Sequence, residues 1–92
     1  MNTYTINCSA VQGEAELWRS YLLATSPQGA AQFGCNIEAF KDAVIGDGPG
    51  WPGECELHFS NTASLKSINS GVLYQALQSL AGSSSYVRIR VD

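Results

Sequence analysis

Hydrophobic and polar residues alternate with a period of two in three short segments, residues 3–8, 54–59 and 86–91. Their apolar positions are Tyr4, Ile6 and Cys8, then Cys55, Leu57 and Phe59, and finally Val87, Ile89 and Val91. A period of two is typical of a β-strand with one buried and one solvated face. The pattern therefore predicts three strands, each with one face in water.

Apolar residues recur with helical spacing between these strands. The positions are Leu17, Trp18, Tyr21 and Leu22, then Ile37, Phe40 and Val44, and after the second strand Val72, Leu73, Ala76, Leu77 and Leu80. A short further helix containing Leu65 is expected after a cap at residues 60–62. Strands separated by helices pair in parallel, and right-handed crossovers place the helices on one side of the sheet. We predict a two-layer α/β fold, a three-stranded parallel sheet with three to four helices on one face.

The acidic residues differ in how well this fold explains them. If the second and third strands are neighbours, Glu54 and Glu56 share the solvated face with Arg88 and Arg90. Two further acids, Glu14 and Glu16, open the first helix, where the helix dipole favours anions. The acids without a structural role are Glu38, Asp42, Asp47 and Asp92.

Length, composition and charge restrict the function. Ninety-two residues fit a single domain, 1–92, and a net charge of −3 gives no basic footprint for nucleic acid. No apolar run is long enough to cross a membrane, and the N-terminus lacks the features of a signal peptide, so we expect a cytoplasmic protein. The odd number of cysteines, Cys8, Cys35 and Cys55, then indicates free thiols. A basic protein is the expected partner.

The sequence offers little for catalysis, metal binding or a cofactor, and we expect none of the three. The glycine-rich stretch 46–53 follows a helix, which is the reverse of a phosphate-binding loop, and indicates turns. Cys55 and His58 are three apart on a strand, so they point to opposite faces, and His58 is expected to be solvated. One alternative stays open: Cys35 precedes a helix N-terminus, where a thiolate is favoured, so a small thiol-dependent enzyme or redox sensor remains a hypothesis.

The segment Gln32–Asp42 is the most informative part of the chain. Asn36 is a good N-cap for the second predicted helix, whose apolar stripe faces a core. Glu38, Lys41, Asp42 and Ile45 then share the outward side, with Glu38 and Asp42 one turn apart. Lys41 can pair with Glu38, so an ordinary solvated face also explains this pattern.

Residues 33–42, Phe-Gly-Cys-Asn-Ile-Glu-Ala-Phe-Lys-Asp, resemble the barstar family of intracellular ribonuclease inhibitors. The family pattern is aromatic, Gly, any residue, Asn, aliphatic, acid, Ala, aliphatic or aromatic, any residue, Asp, and it fits position by position. The order of the predicted elements agrees over the whole chain, including the connection that carries Trp51.

The resemblance implies an inhibitor or immunity protein (antitoxin) of a basic microbial ribonuclease, barnase-like or a toxin domain. The loop and helix at 32–45 would enter the nuclease active site in a 1:1 heterodimer. Asp42 would replace the substrate phosphate and Glu38 would support it. The other contacts implied are loop fixation by Gly34 and Asn36, apolar contact by Phe33 or Trp51, and surface contact by Gln32, Cys35, Lys41 and Ile45.

The chain also departs from the family. Gln32 and Lys41 stand where aromatic residues are common, and the last helix has Gln75, Gln78 and Ser79 in place of an acid. These differences predict a ribonuclease other than the best-known family partner. A barstar-like module that binds a non-nuclease protein is a further alternative.

Overall fold

The described residues form three strands and three α-helices, with two of the helices between the first and second strands and one between the second and third. The computed structural model describes residues 2–27, 29–46, 48–83 and 86–92. The elements are β1 (Asn2–Asn7), α1 (Glu14–Thr25), a 3-10 turn (Ala30–Gln32), α2 (Ile37–Gly46), β2 (Cys55–Ser60), a 3-10 segment (Thr62–Gly71), α3 (Val72–Leu80) and β3 (Val87–Val91). The 3-10 segment replaces the short α-helix expected around Leu65, and its helical backbone is interrupted at residues 68–70.

The strands form one parallel sheet in the order β1-β2-β3, which confirms the predicted sheet. Its register places Tyr4, Leu57 and Ile89 in one row across the sheet. The residues of β2 alternate between buried and half-buried positions, so only one face contacts the core. This alternation explains the period of two in the sequence.

Aromatic rings fill the space between the sheet and the helices. Phe40 of α2 lies at their centre, with ring centroids 5.0 Å from Trp18, 5.2 Å from Tyr21 and 5.9 Å from Phe59. All four side chains are fully buried. Burying each such ring contributes about 1.5–3 kcal/mol to the free energy of folding. The side of α2 that carries Phe40 must therefore face the core, which fixes the rotation of the helix.

The solvated face of the sheet carries the cross-strand charges predicted for Glu56, Arg88 and Arg90. Glu56 lies opposite Arg88, and its carboxylate is 4.0 Å from the guanidinium of Arg90. Glu54 is exposed and precedes β2, so it has no place in the register. The role expected for Glu54 in a cross-strand pair was therefore wrong.

His58 takes part in a polar network on the same face. Its Nε2 contacts the Asp92 carboxylate, and its Nδ1 lies 3.2 Å from an Arg90 nitrogen. The His58 side chain is 18% exposed. The expectation of a solvated histidine was wrong, and Asp92 leaves the group of acids without a structural role.

The helices bury narrower faces than their apolar patterns predict. In α3, Leu73, Leu77 and Leu80 are buried, whereas Val72 is 60% exposed. In α2 the buried residues are Phe40, Ala43 and Val44, and Ile37 is only half-buried.

In the described part of the chain no helix has both the length and the apolar character needed to cross a bilayer.

Candidate partner-binding site

Phe33 anchors the loop before α2 in the core. It is 6% exposed, with its ring centroid 6.0 Å from that of Trp18 and 5.6 Å from that of Tyr21. Gly50 covers the ring from the other side, since a Cβ there would lie 2.6 Å from Phe33 Cδ1. The side chain expected to supply apolar contact to a partner is thus buried. Its effect on the site is to hold the loop in place.

Asn36 joins this loop to α2. Its side-chain oxygen accepts a 2.8 Å hydrogen bond from the Ala39 N–H, and its amide donates to the Gly34 carbonyl oxygen at 3.2 Å. The first contact is an N-cap, as the sequence predicts. Gly34 packs closely, because a Cβ at this position would lie 3.1 Å from Ala39 Cβ. One side chain therefore sets both the start of α2 and the path of the loop.

Cys35 occupies the exposed end of the same turn. Its backbone φ is +52°, in the left-handed region that residues other than Gly, Asn and Asp rarely adopt. The thiol lies 3.7 Å from the Phe33 carbonyl oxygen. Gln32 is also exposed, at the end of the preceding 3-10 turn. Both residues are thus accessible beside the N-terminus of α2.

The outward side of α2 carries the charges that the sequence places there. Glu38, Lys41 and Asp42 are exposed, and Ile45 is 49% exposed. Among the residues that the structure describes, none of the three charged side chains has a hydrogen bond or ion pair, so Lys41 does not neutralise Glu38. We call Glu38 and Asp42 the acidic ridge. Residues four apart on a helix have Cβ atoms about 5–6 Å apart, so the ridge presents two charges within reach of one cationic site.

The connection after α2 fixes the backbone of Asp42. The Gly48 N–H donates a 3.0 Å hydrogen bond to the Asp42 carbonyl oxygen, and a Cβ at Gly48 would lie 3.4 Å from Asp42 Cβ. Asp42 is therefore held by α2 and by the returning loop, with its carboxylate left in solvent. Asp47, the third acid expected in this region, lies outside the described residues.

Trp51 packs back onto the domain. Its ring contacts Tyr86 edge-on at 6.5 Å between centroids, and it is half-buried. It lines a shallow pocket with Tyr4 and Pro27, and no residue of α2 lines this pocket. The described structure therefore gives Trp51 a packing role and does not join it to the acidic ridge.

The three cysteines have different environments. Cys8 and Cys55 are buried, and burial raises the pKa of Cys8 from 9.0 to about 11 and raises that of Cys55. Cys35 is exposed, and its one side-chain hydrogen bond among the described residues is to a backbone carbonyl oxygen, while His58 is engaged on the solvated face of the sheet. No cluster of three metal-binding side chains occurs within the described ranges.

A groove beside the ridge was missed by sequence reasoning. It runs between α2 and α3, and we define the α2–α3 groove by six of its lining residues: Ile37, Glu38, Lys41, Ile45, Val72 and Ala76. Two signals were available: the apolar stripe of α3 is wider than one core-facing helix side needs, and the apolar Ile45 lies on the outward side of α2.

No protein-family model and no curated protein matches this sequence.

Proposed function

We propose that the chain inhibits a basic microbial ribonuclease by placing the loop and helix at 32–45 in the nuclease active site. The observation that carries the proposal is the acidic ridge: two exposed carboxylates, unpaired among the described residues, on a helix whose start and neighbouring loop are fixed by Asn36. The rest of the support is the resemblance of residues 33–42 to the barstar family.

The chemistry follows from what a ribonuclease must bind. An enzyme that holds RNA presents Lys, Arg or His side chains to the phosphate, and a carboxylate can take the same hydrogen bonds. Asp42 occupies the phosphate position in this proposal, and Glu38 strengthens the local negative charge. Because Asn36 and Phe33 already hold the loop, less conformational entropy is lost on binding.

The surrounding exposed residues then set specificity. Gln32, Cys35 and Lys41 border the ridge and contact the nuclease outside its phosphate site, and Ile45 adds apolar area. Lys41 opposes the ridge charge, so it selects a nuclease with no cation at that point. The complex is a 1:1 heterodimer in which the inhibitor supplies no catalytic residue, metal or cofactor.

The proposal is tested by titrating the protein into RNA-cleavage assays with a panel of purified barnase-type and toxin-domain ribonucleases. We expect at least one enzyme to be inhibited with 1:1 stoichiometry, and a bound mononucleotide to slow formation of the complex. If no ribonuclease is inhibited, the proposed function is wrong. Inhibition that a mononucleotide does not affect would contradict occupation of the active site.

Two sources of the nuclease are consistent with this chemistry: the cell's own secreted enzyme and a toxin delivered by a competitor. Co-expression in a host distinguishes them, because each nuclease gene can be tested separately for rescue by this chain. A nuclease that kills the host alone and not with the inhibitor identifies the cognate partner.

A further inference from the structure

The α2–α3 groove brings together exposed apolar side chains from two helices. Four large hydrophobic side chains are well exposed among the described residues: Leu23, Ile45, Val72 and Tyr86. Two of them, Ile45 and Val72, line this one groove. Single exposed apolar residues are ordinary on a protein surface. Two that line the same groove form an exposed hydrophobic patch, and such patches are typical of binding sites.

The walls of the groove differ in charge. On the α3 side, no charged residue occurs anywhere in Val72–Leu80. On the α2 side, Lys41 and Glu38 line the groove, and Lys41 has no partner in the described chain. Because the carboxylate of Glu38 and the ammonium of Lys41 carry opposite charges, this wall has no net charge, and the methylene groups of Lys41 extend its apolar surface. The groove is therefore suited to an uncharged, apolar group.

The groove is continuous with the acidic ridge, because Glu38 belongs to both. A partner whose cation meets Glu38 or Asp42 brings its adjoining residues over Ile45 and Val72. Charge complementarity places a basic group on the ridge, whereas the groove has opposite charges on its α2 wall and none on its α3 wall, so it does not select a charged group.

We propose that the α2–α3 groove receives an aliphatic or aromatic side chain of the ribonuclease, from a segment next to its phosphate-binding cations. This inference rests on the proposed function and adds the chemistry of a second contact.

Val72→Glu separates this chemistry from general electrostatic attraction. Val72 is the first residue of α3 and is 60% exposed, so a glutamate there fits the helix and its dipole. Added negative charge should strengthen attraction to a basic nuclease, but a charge in an apolar contact should weaken it. The two mechanisms therefore predict opposite changes in affinity.

The matched control is Gln75→Glu, which adds the same charge on α3 at an exposed position that does not line the groove. The probe is the ribonuclease of the panel that the wild-type protein inhibits most strongly. We expect Val72→Glu to weaken binding at least about 10-fold, mainly through faster dissociation, and Gln75→Glu to bind as well as wild type or better.

A second pair of variants covers the case in which Val72→Glu does not fold. Val72→Ala should weaken binding about 5-fold, because it removes apolar area at a groove residue to which the proposed function assigns no contact. Leu23→Ala truncates an exposed apolar residue of α1 and should leave binding unchanged.

The outcomes distinguish the two proposals. If Val72→Glu and Val72→Ala bind like their controls while Asp42→Asn binds weakly, the groove inference is wrong and the proposed function stands. If no ribonuclease is inhibited, both are wrong. Sedimentation of the free protein gives a third outcome: a dimer that Val72→Glu dissociates would assign the groove to a second copy and overturn the inference.

Discussion

The Tyr21 hydroxyl donates a 2.7 Å hydrogen bond to the Gly50 carbonyl oxygen in the interior of the domain. This bond joins α1 to the connection that follows α2. The same glycine covers the ring of Phe33, which anchors the loop before α2. The loop before α2 and the connection after α2 are therefore held at the same place in the core, by contacts among Tyr21, Phe33 and Gly50.

Gly50→Ala should destabilise the fold strongly. Gly50 has φ +92°, and a Cβ would lie 2.6 Å from Phe33 Cδ1, so the variant combines backbone strain with overpacking. We expect the free energy of unfolding to fall by at least about 2 kcal/mol, measured by urea denaturation. Gly53→Ala is the matched control, since Gly53 has φ +84° but no atom within 4 Å of the added Cβ, and it should lose about 1 kcal/mol. Equal losses would show that Phe33 does not restrict this site.

Asn36→Ala should reduce stability by about 1 kcal/mol, the usual effect of losing an N-cap. It also removes the hydrogen bond to Gly34, so binding to the inhibited ribonuclease should weaken as well. Asn36→Ser keeps a cap acceptor and adds no charge, but it lacks the amide that donates to the Gly34 carbonyl oxygen. It should retain most of the stability and lose part of the affinity. An Asn36→Ala variant that is unchanged in both measurements would contradict the role of Asn36 in ordering the loop.

The strands were predictable from sequence because each has one buried face. Every second residue is therefore apolar, as at Leu57 in β2 and Ile89 in β3. The Asn36 cap was predictable because it depends on neighbours within three residues. The burial of Phe33 was not, since it is decided by Gly50, far along the chain. The contact of His58 with Asp92 was unpredictable for the same reason, because it depends on the register between β2 and β3.

The exposure of Val72 was unpredictable for a related reason. Its spacing from Leu73 and Leu77 fits an apolar helix stripe, but the rotation of α3 decides which part of that stripe meets the core. The acidic ridge was predictable from sequence because it lies on one helix. The groove was not, because it depends on how two helices pack against each other.

Stability should fall at alkaline pH because of the buried thiols. Burial raises the Cys8 pKa from 9.0 to about 11, so in that pH range the unfolded chain loses this proton while the folded chain keeps it. Unfolding is then favoured as the pH rises, by up to about 2–3 kcal/mol. Burial also raises the pKa of Cys55 and of Tyr21, which adds to the loss in the same direction.

Urea denaturation at about pH 8 and about pH 10.5 measures this loss. Cys8→Ala should lower stability at both values but reduce the difference between them. A difference equal to that of wild type would mean that Cys8 does not carry the effect.

Cys35 should be the one thiol that reacts in the folded protein. It is exposed, whereas Cys8 and Cys55 are buried, so Ellman's reagent should titrate one thiol in buffer and all three in denaturant. Cys35→Ser should abolish the reaction in buffer and leave ribonuclease inhibition largely intact, because it changes one contact outside the phosphate site. Loss of the protein's activity in Cys35→Ser would instead support the thiol enzyme or redox sensor.

The most direct test of the account is the affinity of Asp42→Asn for the ribonuclease that the wild-type protein inhibits. The amide preserves shape and removes the charge that replaces the phosphate, so we expect a loss of at least about 2 kcal/mol, or roughly 30-fold in Kd. Glu16→Gln, which neutralises an exposed acid on α1, should change Kd less than about 3-fold. If Asp42→Asn binds as tightly as Glu16→Gln, the acidic ridge does not act as a phosphate mimic.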